Sequence, residues 1–204
     1  MTQKIFCVLG AAALALVATA SLAQQPQTVR VRGTIEAVDG AVLSIKARDG
    51  SDLKVKMTDN VNVVGLVKAT LDDIKPGSFV GSTAMPEQDG TWKAVEVHIF
   101  PEAMRGTGEG DRAYDYKPKS TMTNGTVDAS VAKVNGSTMT LKYKEGEKKI
   151  DVTPETAIVM YVPSNKAELK PGAKIYIAGA NKQADGTLET GRVNVGLNGV
   201  TPPM

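Results

Sequence analysis

A duplicated pattern constrains this chain more than any other feature. Gly33-Thr34-Ile35 recurs as Gly125-Thr126-Val127, and Asp73-Ile74-Lys75-Pro76-Gly77 as Glu168-Leu169-Lys170-Pro171-Gly172. Asp89-Gly90-Thr91 returns as Asp185-Gly186-Thr187, and Asp49-Gly50 as Glu145-Gly146. Val55/Met57/Thr58 matches Ile150/Val152/Thr153, and Val97/Ile99 matches Val193/Val195. The offset drifts only from 92 to 96 residues, so one order of strands and turns is laid down twice.

Within the first copy, Val29, Val31, Ile35 and Ala37 alternate with Arg30, Arg32, Thr34 and Glu36, the period of a half-buried strand. Asp39-Gly40 and Asp49-Gly50 turn the chain into Val42–Ala47 and Leu53–Met57, which predicts a three-strand meander. Leu66–Ile74 is expected to make about two helical turns. Pro76 ends them, and Gly77 can take the positive φ that swings the chain onward. Phe79–Ala84 and Trp92–Ile99 then add two strands.

A half-open sheet this small leaves edges that closure into a barrel removes. The expected fold is all-β with a minor helix: two tandem OB-like five-stranded barrels, spanning 28–99 and 123–197. A Gly-rich connector, 100–122, joins them and 198–204 forms a tail. An SH3-like barrel or a small sandwich is the alternative, because periodicity does not fix strand pairing.

The first 23 residues read as a cleaved signal peptide. Lys4 precedes an apolar run from Ile5 to Ala18, and Ser21-Leu22-Ala23 places small residues at −3 and −1. The expected location is therefore periplasmic or secreted. The only cysteine, Cys7, falls inside this leader, so disulfides, thiol nucleophiles and zinc–thiolate sites are not expected beyond it. Formal net charge is +2, one less without Lys4, which gives no electrostatic case for nucleic acid or an anionic membrane. No later segment approaches the ~18 apolar residues of a membrane span.

The paired G-T-[IV], [DE]-[IL]-K-P-G and D-G-T pattern resembles a group of bacterial secreted domains of unknown function, which occur as one or more small β-barrels behind a signal peptide. The connector, Met104–Gly110 and Ser120–Asn124, is similar to the linker of a two-copy proteobacterial subgroup. The resemblance covers nearly all of the chain after the leader. It departs at Asp111, where the subgroup has histidine, and at Ala113-Tyr114, where it has Pro-Trp. The resemblance thus implies a fold and a compartment, with no activity and no metal or aromatic role in the connector.

Catalytic machinery is sparse. His98, the only histidine, lies between Val97 and Ile99 and is expected on a solvated strand face, with Glu96 two residues before it. A histidine base needs a nucleophile or an orienting acid, and nothing local identifies either. Gly106-Thr107-Gly108-Glu109-Gly110 lacks the following helix and the Gly-Lys-Ser/Thr of a phosphate loop. Trp92, Tyr143, Tyr161 and Tyr176 are spread over both copies, and Lys142, Lys144, Lys148 and Lys149 are expected on a solvated hairpin.

The connector is where binding residues concentrate. Arg105, Glu109, Arg112, Tyr114 and Tyr116 are the candidate ligand or partner contacts, since Arg and Tyr carry binding energy at interfaces. The first expectation for this segment is packing against its own barrels, with Phe100, Met104, Tyr114 and Tyr116 partly buried. The resulting reading is a non-enzymatic binding or scaffold protein of the cell envelope, without cofactor, whose partner is an envelope protein or small ligand. The alternative is an accessory protein handling copper or a similar ion through His98, Met104 and Glu102.

Overall fold

The computed structural model describes residues 27–133 and 136–204. The expected signal peptide, 1–23 with Cys7, lies outside the described residues. The first half of the chain forms β1 (Thr28–Asp39), β2 (Val42–Ala47), β3 (Asp52–Lys68), β4 (Phe79–Pro86) and β5 (Trp92–Ile99). The connector adds β6 (Gly110–Ala113). The second half forms β7 (Thr121–Lys133), β8 (Gly136–Tyr143), β9 (Gly146–Val152), β10 (Ala157–Pro163), β11 (Lys174–Lys182) and β12 (Leu188–Gly196).

The fold is all-β and contains a closed five-strand barrel. Its strands do not come from one repeat. The meander β1-β2-β3 is completed by β11 and β12 from the other half: β1 pairs antiparallel with β11, and β3 runs parallel to β12 with Val63 opposite Val193. The remaining strands follow the same order. The meander β7-β8-β9 pairs with β4 through β7, β4 pairs with β5, and β5 meets β9 at a single parallel bridge, Lys93 to Asp151. The expected division at 28–99 and 123–197 is corrected accordingly: each three-strand meander takes its last two strands from the other copy.

The turns that looked merely local in sequence carry this exchange. Gly172 N–H donates to Ile35 O at 2.8 Å and Ile35 N–H to Ala173 O at 2.9 Å. The equivalent crossing bonds run from Gly77 N–H to Val127 O at 2.7 Å and from Val127 N–H to Ser78 O at 2.8 Å. Gly77 and Gly172 sit at φ 85° and 87°, a conformation that favours glycine. Each Lys-Pro-Gly turn therefore docks on the first strand of the opposite repeat.

The helix expected over Leu66–Ile74 is absent. Its start, Leu66 to Lys68, belongs to β3, where it pairs with β10. The β-branched Val61, Val63 and Val64 lead into it, and such side chains suit a pleated surface. Only Leu71–Asp73 turns helically, as one 3-10 turn in which Asp73 Oδ2 accepts from Thr70 N and Thr70 Oγ1 at 2.8 and 2.9 Å. Pro76 follows before a second turn can form.

Three apolar clusters result. One fills the closed barrel, around Ile35, Leu43, Ile45, Ile175 and Ile177. A second lies among β4, β5 and β7–β9, around Val80, Val97, Met139, Leu141 and Ile150. The third is the seam, where Leu66, Phe79, Phe100, Tyr114, Met122, Tyr161 and Tyr176 meet. Each fully buried Leu, Phe or Met side chain is worth about 1.5–3 kcal/mol, so the seam, with Leu66, Phe79, Phe100 and Met122 buried, is a core in its own right. Among the described residues no helix is long and apolar enough to cross a membrane.

Candidate functional site

Two rows of residues face the seam from equivalent strands. In one row Asn124 of β7 lies opposite Gly81 of β4, which lies opposite His98 of β5. In the other, Arg32 of β1 lies opposite Tyr176 of β11, which lies opposite Asn194 of β12. The rows occupy the same positions in the two repeats, yet share no residue. Gly81 allows the first row to form, because a Cβ there would collide with the His98 ring and with Asn124 Oδ1.

His98 is buried, at 3 % exposure, which corrects the solvated position expected for it. The reason is that its face of β5 is covered, by the Phe100 and Tyr161 rings of the seam. His98 Nδ1 lies 3.0 Å from Oε2 of the fully buried Glu96. Glu96 Oε1 accepts from Thr83 N at 2.9 Å and from Thr83 Oγ1 at 2.7 Å, at an irregularity in the β4–β5 register. A carboxylate that already accepts two bonds makes Nδ1 the donor and leaves Nε2 as the ring atom toward Gly81 and Asn124.

Aromatic rings close around this polar core. Phe100 stacks on Tyr161 at 5.2 Å, and His98 meets both rings edge-on at 4.9 and 5.6 Å. Tyr114 and Tyr176 share a hydroxyl contact of 2.9 Å. Burial pushes the Tyr161 hydroxyl up, and the Glu96 charge adds to it. Tyr114 is raised by burial and then by Tyr176. Both therefore stay neutral hydrogen-bonding groups.

Between the rows lies a cavity of about 310 Å³. Asn124, only 4 % exposed, donates from Nδ2 to Thr107 O at 2.9 Å, while its Oδ1 has no hydrogen-bond partner. Arg30, Arg112 and Arg192 also border the cavity. Arg30 lies over the Tyr114 ring at 4.8 Å and Arg192 over Tyr161 at 5.7 Å. Arg32 sits between Tyr114 and Tyr176 and holds Asp115 at 2.7 Å. Burial alone would raise Asp115, but the Arg32 hydrogen bond and the Arg32 and Arg30 charges outweigh it and hold the carboxyl below its usual range.

The connector residues divide between this site and the surface. Tyr114 is buried and Tyr116 and Phe100 pack into the seam, while Met104 packs beside them with its sulfur 3.5 Å from Arg192 Nη2. Arg112 reaches the cavity and donates to Gly108 O at 2.7 Å. Arg105 is exposed, clasping Glu102 at 2.6 and 2.7 Å and Gly77 O at 2.9 Å. Glu109 is exposed and does not line the cavity. Of the suggested ion-handling trio, Glu102 is thus turned to Arg105 and His98 to Glu96. No group of three or more His, Cys, Asp or Glu side chains suited to a metal ion occurs among the described residues.

A second buried charge stands apart from the cavity. Lys148, expected on a solvated hairpin, is 7 % exposed and lies 3.4 Å from the Trp92 ring centroid. It donates to Thr121 Oγ1 at 2.7 Å and to Asp111 Oδ1 at 3.0 Å. Burial lowers its pKa, and Asp111 opposes that shift. Trp92 comes from β5 and Lys148 from β9, so this contact reinforces the place where the two strands share one backbone bridge.

Sequence reasoning missed Arg30, Arg32, Asn124, Arg192 and Asn194. A signal for them exists in the repeat itself: equivalent positions pair Arg30 with Met122, Arg32 with Asn124, Glu96 with Arg192 and His98 with Asn194. Turn residues agree between copies while these polar positions diverge. Neither a protein family, a curated protein nor a solved structure matches this chain.

Proposed function

We propose that this chain is an extracytoplasmic, non-enzymatic binding protein of the cell envelope, with both five-strand sets forming OB-like barrels that present a ligand site at their seam. The observation that carries the reading is Asn124 Oδ1, a buried acceptor without a partner, bordering a cavity of about 310 Å³. Leaving such a group unsatisfied costs about 1–3 kcal/mol, and a bound donor would recover that energy. The volume lies at the lower end of small-molecule sites, and rings surrounding a few convergent polar groups are their usual lining. The apolar leader and the Ser21-Leu22-Ala23 sequence support export.

A fragment library screened by NMR tests the binding reading. Binders should shift the amides of His98, Asn124, Tyr161 and Asn194 together. A screen in which no compound moves that group would overturn the reading. Fractionation of the native host, with the chain beginning near Gln24 outside the cytoplasm, tests the compartment.

A further inference from the structure

We infer that the seam cavity selects a small aromatic carboxylate carrying a hydroxyl or amino donor, an inference that rests on the binding reading above. Charge comes first. Arg30, Arg112 and Arg192 border the cavity, and among the described residues no carboxylate side chain does; the main-chain oxygen of Met204, which also borders it, is held by Arg32 Nε at 2.9 Å. Arg192 donates from Nε to Asn194 Oδ1 at 3.3 Å and from Nη2 to the Met104 sulfur at 3.5 Å, neither of which carries charge. Arg112 donates from Nη1 to one carbonyl, Gly108 O, which leaves its other donors for a ligand. Arg30 keeps a 3.5 Å contact with Asp115, which is already held more closely by Arg32. Glu96 is occupied by Thr83 and His98 behind the cavity wall. The guanidinium forks are thus available to a carboxylate, the anion whose geometry they match.

Depth sets the second requirement. Arg112 is exposed and the Arg30 side chain is 34 % exposed, so these cations stand at the mouth. Asn124 and His98, 4 % and 3 % exposed, form the floor. There Asn124 Oδ1 lacks a donor, and the His98 tautomer set by Glu96 turns Nε2 toward the same space as a second acceptor. A ligand that reaches both ends needs its anion outward and a hydrogen-bond donor inward. Phe100, Tyr114, Tyr161 and Tyr176 line the space between, and rings of this kind favour a flat aromatic body by offset or edge-on packing.

The test uses 4-hydroxybenzoate with the full chain, followed by calorimetry and by amide shifts. Its phenol and carboxylate lie at opposite ends of one ring. Benzoate lacks the donor and 4-hydroxybenzyl alcohol lacks the charge; each should bind about tenfold more weakly, the scale of one lost hydrogen bond to a charged or buried group. Arg192→Gln and Arg112→Gln should each weaken 4-hydroxybenzoate by about tenfold, and added salt should weaken it further. Lys142→Gln, in the hairpin away from the cavity, should leave it unchanged. Arg112 is exposed, so its variant keeps the test intact if Arg192→Gln fails to fold. Equal binding of the neutral alcohol, or absence of a salt effect, would overturn the anion inference while the cavity remained a ligand site. If neither these compounds nor any library fragment moves the cavity amides, the broader binding reading falls with it.

Discussion

Leu66 and Tyr161 are Cα partners at the centre of the antiparallel ladder between β3 and β10, and they hold the same position in the two repeats. An antiparallel ladder between equivalent segments has a local twofold axis through its central pair. Strands on one side are therefore repeated on the other: β12 runs parallel to β3, and β5 runs parallel to β10. This is the geometry of an isologous dimer interface, placed within a single chain. The cavity lies beside that axis, where equivalent strands bring non-equivalent side chains together.

Strand exchange makes the two halves mutually dependent. A chain cut between Gly106 and Glu109, in the exposed part of the connector, is expected to remain one particle. With a specific protease site inserted there, the cleaved protein should elute at the size of the intact protein and separate into two fragments only in denaturant. Two species in native buffer would show that each half closes on itself.

The Lys148–Trp92 contact should matter more than a surface hairpin would. Lys148→Met keeps the aliphatic stem but removes the bonds to Asp111 and Thr121 and the cation over the ring. The expected loss is about 2 kcal/mol, combining charge-assisted hydrogen bonds with a cation–π contact. Trp92 is the only tryptophan, so its emission reports the change directly. Unchanged emission and stability would place Lys148 in solvent.

Asp115 offers a pH-dependent test of how the connector is anchored. Its carboxyl is held below the ordinary value of 3.8, so its contribution is fully present above that value and is lost as pH falls through the lower folded value. Asp115→Asn should cost about 1 kcal/mol near neutral pH, a modest figure because the side chain is 47 % exposed. The difference from the parent chain in urea unfolding should shrink toward zero below pH 3.8. A difference that persists undiminished in acid would mean that the charge is not what Arg32 holds.

Turn chemistry made much of this architecture legible in advance, because its causes are local. Lys75-Pro76-Gly77 and Lys170-Pro171-Gly172 announce positive-φ turns whatever they later touch. The alternation in Val29–Ala37 marks a strand with one apolar face. Pairing is different in kind: Val63 carries no sign that its partner will be Val193 rather than a residue of its own half. His98 looked solvated for the same reason, since strand alternation assigns faces but does not say whether both are covered. Arg30 and Asn124 come together only after the exchange, and the divergence between equivalent positions was the trace they left in the sequence.

The last prediction concerns the Glu96–His98 pair, where the chemistry can be altered without a change of shape. Glu96 Oε1 accepts two bonds from Thr83, and Oε2 receives His98 Nδ1. Glu96→Ala would strip partners from Thr83 N and His98 Nδ1 in a fully buried place, and is expected to cost about 3 kcal/mol or more. Glu96→Gln can keep its amide oxygen on Thr83 while its NH₂ donates to Nδ1. That reverses the tautomer, so that Nε2 carries the proton on the cavity side and is no longer an acceptor. The glutamine variant should therefore lose less than about 1 kcal/mol, and the ¹⁵N shifts of the sole histidine should move from an Nδ1–H to an Nε2–H pattern. It should also bind donor-bearing ligands more weakly, because a protonated Nε2 no longer accepts from the ligand. Unchanged ¹⁵N shifts in Glu96→Gln would show that Glu96 does not set the ring's orientation toward the cavity.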